Sequence, residues 1–135
     1  MYRFNYTIKE EDINYGGHVG NERALLFFQI SRMSLFESLG FSELDIGDNI
    51  GIIQKKSYVE YNKELFLDEK IEVIIDKFLY TKASFTLFYK ILSDGEIAIE
   101  GYTQLIAFDY ANKKMKRIPN EFIKKMNILF ANQVS

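Results

Sequence analysis

Two periods divide this chain. From residue 71 onward, apolar side chains recur at every second position: Ile71, Val73 and Ile75, then Phe85, Leu87, Tyr89 and Ile91, then Ile97 and Ile99. That is the spacing of strands with one buried face. It predicts strands over Gly51–Tyr61, Lys70–Tyr80, Ser84–Leu92 and Glu96–Phe108, all rich in Ile, Val, Tyr, Phe and Thr. Asp94-Gly95 is a hairpin signal between the last two, and Tyr80-Thr81-Lys82-Ala83 suits a second tight connection. Residues Tyr2 to Ile8 alternate as well and predict a first strand.

The segment from Asn21 to Leu39 follows a different rule. It contains neither proline nor glycine, and as a helix it would run roughly 28 Å. Asn21 suits an N-cap, because its side chain accepts from an N–H one turn on. Glu22 then falls where the helix dipole favours negative charge, and Gly40 where a left-handed residue ends a helix. The apolar residues, among them Leu25, Phe27, Phe28, Ile30 and Phe36, cover most of the circumference. Such a helix is expected to be surrounded. A shorter helix is expected from Asn120 to about Asn132, after Pro119, the only proline.

One long helix followed by long antiparallel strands is an α+β plan. The expected architecture is a single domain over residues 1–135, with a curved antiparallel sheet of about five strands around the long helix. Ile74, Phe88 and Ile106 remain on the outer face of that sheet. They predict a partner surface, most simply a second copy of the chain.

Composition narrows the function classes. Twelve Phe and nine Tyr supply ample core material. No run approaches the roughly 20 apolar residues needed to span a bilayer, and the N-terminus lacks a signal-peptide design. The absence of cysteine excludes disulfides and thiolate ligands. A cytoplasmic location is expected. A net charge of −2 is no electrostatic match for nucleic acid. A single histidine argues against a His-rich zinc site, and there is no ordered acidic loop for magnesium or calcium, so no metal is expected. No serine lies in a G-x-S-x-G elbow, which argues against a serine hydrolase.

The chemistry-bearing stretch is Asp12-Ile13-Asn14-Tyr15-Gly16-Gly17-His18-Val19-Gly20-Asn21, a polar, glycine-rich loop that holds the only histidine and feeds the long helix. A helix start presents unpaired N–H groups and the positive end of a dipole. Such a place stabilises the oxyanion of acyl transfer.

This loop and the order of elements resemble the hotdog-fold acyl-CoA thioesterases, in the branch similar to 4-hydroxybenzoyl-CoA thioesterase. That branch reads Asp-x-Asp-x-x-Gly-His-Val-Asn-Asn before its central helix; the matching residues are Asp12, Asn14, Gly17, His18, Val19, Gly20 and Asn21. The segments Arg32 to Gly40 and Tyr58 to Tyr61, with Asp68 beyond, are also similar. Two departures stand out. The second acidic residue of the motif is the family's catalytic carboxylate, and here it is Asn14, an amide with no anionic oxygen. Gly20 replaces an asparagine.

The resemblance implies hydrolysis of an acyl-CoA to free acid and coenzyme A, with the backbone N–H near Asn21 as oxyanion donor. It implies a homodimer or dimer of dimers with clefts at the dimer interface. No cofactor is expected beyond the coenzyme A of the substrate, and acyl carrier protein is the other carrier to consider. The candidate catalytic residues are Asp12, Asn14, His18, Asn21 and Glu22. Asp12, Glu22, and Glu60 or Glu64 from a neighbouring subunit are the carboxylates available to replace the missing one. Tyr15, Gly17, Val19, Phe28 and Glu60 are candidates for lining the substrate site. Lys113 and Lys114, in the one basic cluster, are candidates for the phosphates of coenzyme A. Three other functions stay open at this point. Asn14 speaks for non-hydrolytic binding of an acyl thioester. A hotdog dehydratase or hydratase and a purely structural dimerisation module share the same plan.

Overall fold

The computed structural model describes residues 1–131. Strand β1 (Tyr2–Thr7) leads through one 3-10 turn (Glu10–Asp12) and the glycine-rich loop into α1 (Arg23–Ser38). Strands β2 (Gly51–Tyr61), β3 (Lys70–Tyr80), β4 (Ser84–Ser93) and β5 (Glu96–Asp109) follow. A two-residue strand, β6 (Lys114–Met115), and α2 (Asn120–Leu129) complete the chain. The sheet is antiparallel in the order β1-β3-β4-β5-β2, with β6 added to β5.

The alternation seen in the sequence is the alternation of faces. On β4, Phe85, Leu87, Tyr89 and Ile91 are fully buried, while Phe88 and Lys90 between them are only half-buried. The buried set meets Phe27, Phe28, Leu35 and Phe36 of α1. Phe28 stacks on Tyr89 with ring centroids 4.3 Å apart, and Phe36 meets Phe122 of α2 edge-on. Register shifts at Gln54/Lys56, Ile75/Lys77 and Ile91/Leu92 mark bulges, which bend strands and raise their twist. The sheet thus curls around the helix, the hotdog plan. Asp94 (φ 51°) and Gly95 (φ 76°) form the left-handed pair of a tight hairpin.

Several expectations need correction. α1 starts at Arg23, with Glu22 rather than Asn21 in the capping position, and no side chain caps it. The helix is not fully surrounded. Gln29, Met33 and Glu37 form an exposed stripe, with Met33 49% accessible. Their spacing of four puts them on one side, and one sheet covers only the other. Ile74 is buried rather than free on the outer face, because its register partners are Arg3 and Lys90, whose aliphatic stems cover apolar surface. α2 ends at Leu129, and Asn132 lies outside the described residues. Strand β6 is too short to announce itself by period. No described helix is long and apolar enough to cross a membrane.

Candidate active site

The loop before α1 is tied by its own backbone. Ile13 and Val19 form an isolated antiparallel bridge. Between them the Asn14 N–H donates to the His18 carbonyl at 2.9 Å, and the Gly17 N–H to the Asn14 carbonyl at 3.1 Å. The Gly16 N–H donates to Asn14 Oδ1 at 2.8 Å, an Asx turn. Gly17 has φ +83°, a conformation that favours glycine. Asn14 is therefore a turn-forming residue whose side-chain oxygen is already committed.

Asp12 anchors this loop from below. It is 1% exposed. Its carboxylate accepts from the Tyr6 hydroxyl at 2.8 Å, the Lys9 N–H at 2.9 Å, and the Arg23 Nε and Nη2 at 3.0 and 2.6 Å. Burial alone would raise its pKa, but the Lys9 N–H, the Tyr6 hydroxyl and Arg23 outweigh it and hold the carboxyl below its ordinary value. In turn, burial and the hydrogen bond to Asp12 push Tyr6 up to about 12. A carboxylate so fully engaged has no lone pair left for a water.

Above the anchor lies an open cleft. The Val19 N–H donates to the Leu65 carbonyl at 2.8 Å, which draws the segment after β2 over the loop. The cavity between them is about 270 Å³, with His18, Gly20 and Asn21 on one wall and Tyr61, Glu64 and Ile99 on the other. The His18 Nδ1 lies 3.1 Å from the Val19 carbonyl. With a proton there, Nε2 carries the lone pair, and it stands 3.9 Å from Glu64 Oε1. The Tyr61 hydroxyl donates to the Asn21 carbonyl at 2.5 Å. Burial raises the Tyr61 pKa and the Glu22 charge adds to that. The Glu22 carboxylate lies over Gly20, in the space that a Cβ there would enter.

The backbone completes the picture. Among the described residues, the N–H groups of Asn21 and Glu22 donate to no protein acceptor. The Gly20 carbonyl accepts from the Arg23 N–H at 3.0 Å. In a trans peptide the N–H points opposite to the carbonyl, so the Asn21 N–H is aimed out of the helix end.

The remaining candidates scatter. Val19 is buried and lines the cleft, and Gly17 only shapes the loop. Tyr15 is fully exposed at the loop tip. Phe28 is core, closed off by its stack on Tyr89. Glu60 alternates to the other face of β2 from Tyr61 and accepts from the Tyr58 hydroxyl at 2.9 Å. Lys113 and Lys114 sit where β6 pairs with the end of β5, at Asp109. Ile99, in the cleft, is near the start of that strand, roughly 30 Å away. Within one protomer the basic cluster does not reach the cleft. Among the described residues no group of three or more His, Cys, Asp or Glu could hold a metal.

Tyr61 was not singled out by its sequence context, which reads only as a strand end. Glu64 approaches His18 within the same chain. A second polar cluster was also missed: buried Arg32 with Tyr89, Thr103 and Glu43. The signal for it was an arginine one turn from Phe28 and from Leu35, on the apolar side of α1.

The chain belongs to the thioesterase-like superfamily, whose family model matches residues 8–126. No curated protein matches it in sequence. The fold is shared with solved structures of low identity. A hypothetical protein of Staphylococcus aureus, solved in complex with CoA, superposes with a TM-score of 0.89 at 16% identity, covering 99% of this chain and 86% of that one. A DHNA-CoA thioesterase from Staphylococcus aureus gives 0.82 at 22% identity, with 99% and 95% covered. BH1999, a gentisyl-coenzyme A thioesterase, gives 0.79 at 15% identity, with 88% and 97% covered.

Proposed function

We propose that this protein is an acyl-CoA thioesterase whose reaction takes place in the cleft at the start of α1. The observation that carries this reading is the uncapped helix end, with the unpartnered Asn21 N–H beside a histidine–carboxylate pair. The thioester carbonyl oxygen accepts from the Asn21 N–H, which stabilises the tetrahedral oxyanion together with the helix dipole. His18 Nε2 takes a proton from water as the water oxygen bonds to the carbonyl carbon, and Glu64 steadies the imidazolium. The intermediate collapses, the C–S bond breaks, and coenzyme A leaves as a thiolate that needs little acid assistance. Tyr61, bonded to the Asn21 carbonyl, holds the following peptide, the one that carries the Glu22 N–H. Asn14, its oxygen engaged by the Gly16 N–H, shapes the loop from outside the cleft lining. Glu22, beside Gly20, is the second carboxylate in reach. The scheme uses protein groups and water only.

The active unit in this reading is a homodimer, with pairs of dimers as a further step. β2 is an edge strand with most residues exposed from Ile53 to Tyr61, and such an edge invites pairing with a second chain. The exposed stripe of α1 is the other unpartnered surface. Lys113 and Lys114 lie far from this cleft within one chain, so in this reading they serve coenzyme A only if the dimer carries the partner's pair to the cleft mouth.

The test is thiol release from a panel of acyl-CoAs and acyl carrier protein thioesters. The parent is expected to release thiol, and His18→Ala to lower kcat by about 10²–10⁴. Saturable binding of an acyl-CoA with no thiol released would replace this reading with non-hydrolytic binding, which Asn14 favours. An unsaturated product without free thiol would indicate a dehydratase.

A further inference from the structure

A second polar cluster lies along the same helix face. Leu25, Gln29 and Arg32 fall within about 60° of one another around the axis, and Asn21 stands one turn before Leu25. A cavity of about 470 Å³ opens here, with Leu25 and Ile52 on its walls beside the polar Gln29, Arg32, Glu43 and Gln54. Arg32 is 4% exposed. Its Nε donates to Glu43 Oε2 at 2.7 Å, and its Nη1 to the Tyr89 hydroxyl at 3.1 Å and Thr103 Oγ1 at 3.4 Å. The Gln29 Nε2 donates to Glu43 Oε1 at 3.0 Å.

One part of this network is unfinished. A guanidinium has five N–H donors, and Arg32 Nη2 donates to no protein atom among the described residues. No sealed side-chain nitrogen or oxygen lacks a partner among them, so Nη2 opens onto the cavity. Each Glu43 oxygen holds one donor and keeps a lone pair, and that side chain is 20% accessible. A free donor and a free acceptor thus meet in a cavity of mixed lining, where Gln54 and Tyr110 are the other polar side chains, and their charges cancel.

We propose that this cavity receives the acyl group, and that Arg32 and Glu43 select thioesters bearing a hydroxyl at the far end of that group. A hydroxyl accepts from Arg32 Nη2 and donates to Glu43. A plain alkyl end leaves both groups unanswered, which binding sites penalise. A carboxylate end meets Glu43 charge to charge. Arg32 lies about 16 Å along the axis from Asn21, and helical side chains lean toward the N-terminus. The hydroxyl therefore sits about 12 Å from the thioester carbonyl, the reach of a ten-carbon chain. This selection rests on the thioesterase reading, but its test does not need turnover.

Calorimetry on the full chain compares S-decyl-CoA, S-(10-hydroxydecyl)-CoA and S-(9-carboxynonyl)-CoA, thioethers that cannot be hydrolysed. The hydroxylated probe is expected to bind at least tenfold tighter than either other. Arg32→Met should abolish that difference. Glu43→Ala, in the loop after α1 where truncation disturbs the core less, should abolish it as well. Equal affinities, a preference for the carboxylate, or a hydroxyl preference that survives Glu43→Ala would overturn the proposal. Decanoyl-CoA and 10-hydroxydecanoyl-CoA then separate the two readings. Thiol release from both, without discrimination, ends the selection and leaves the hydrolase. Hydroxyl-selective binding without thiol release ends the hydrolase and leaves the selection.

Discussion

The two ends of α1 are finished in opposite ways. At the C-terminus every device for closing a helix is in place. Gly40 takes φ +85°, its N–H donates to Glu37 and the Phe41 N–H to Phe36, at 3.0 and 2.8 Å. That is a Schellman closure. Lys125 adds a bond to the Leu39 carbonyl at 3.0 Å and lies 5.0 Å from the Phe41 ring centre. At the N-terminus the residue in the capping position is a glutamate whose side chain caps nothing. Asparagine stands immediately before it, a residue that caps well, yet its side chain takes no such bond. The helix is sealed where it only needs to stop and left open where a cleft adjoins it.

Asn21→Pro breaks the comparison most sharply. It deletes the N–H aimed out of the helix, which no protein group uses, and leaves Tyr61 its carbonyl acceptor. Against Asn21→Ala, kcat should fall about 10²–10³, with a melting temperature close to that of the alanine variant. Equal rates for the two would move the oxyanion site elsewhere.

Next comes the anchor beneath the open end. Asp12→Ala strands Arg23, Tyr6 and the Lys9 N–H and should cost about 2–3 kcal/mol in denaturant unfolding. The same site sets a pH dependence of both signs. The folded pKa of Asp12 lies below its unfolded value of 3.8. Its contribution is complete above that value and is lost as pH falls through the lower folded one. Tyr6 is raised from 10.0 to about 12, so its contribution holds below 10 and disappears as pH rises through 12. In Asp12→Ala both slopes should flatten in unfolding measured across pH.

Gly40→Ala works on the sealed end. A Cβ at that φ costs roughly 1–2 kcal/mol, and kcat should not change. A loss of activity without a loss of stability would show that the two ends are not independent. Lys125→Ala is the mildest probe, removing about 0.3–1 kcal/mol of charge–dipole interaction at the last carbonyls. Its signature is a stability difference that shrinks in high salt.

The contrast also explains what was legible in the sequence. The closed end was readable because Gly40 answers a local steric demand. The strands were readable for the same reason: β3 and β4 carry their own period, β2 its strand-forming residues, and the limits of β2 and β3 coincide with those expected. The open end was misread because Asn21 looks like a cap, and only the fold shows its side chain unused. Tyr61 and Glu64 enter the cleft through one long-range bond, from Val19 to Leu65, which no local pattern encodes. Lys113 and Lys114 looked suitable by charge, but the direction of β5 carries them away from the cleft. Asp12 matched a catalytic motif, whereas four hydrogen bonds make it a foundation.

The most direct measurement is a crystal structure of the protein with a non-hydrolysable ketone analogue of an acyl-CoA. The ketone oxygen is expected about 2.7–3.1 Å from the Asn21 nitrogen, the usual oxyanion-hole distance, with His18 Nε2 facing the carbonyl carbon. An analogue bound with that oxygen turned to bulk water, and with the Asn21 N–H still unpartnered, would contradict it.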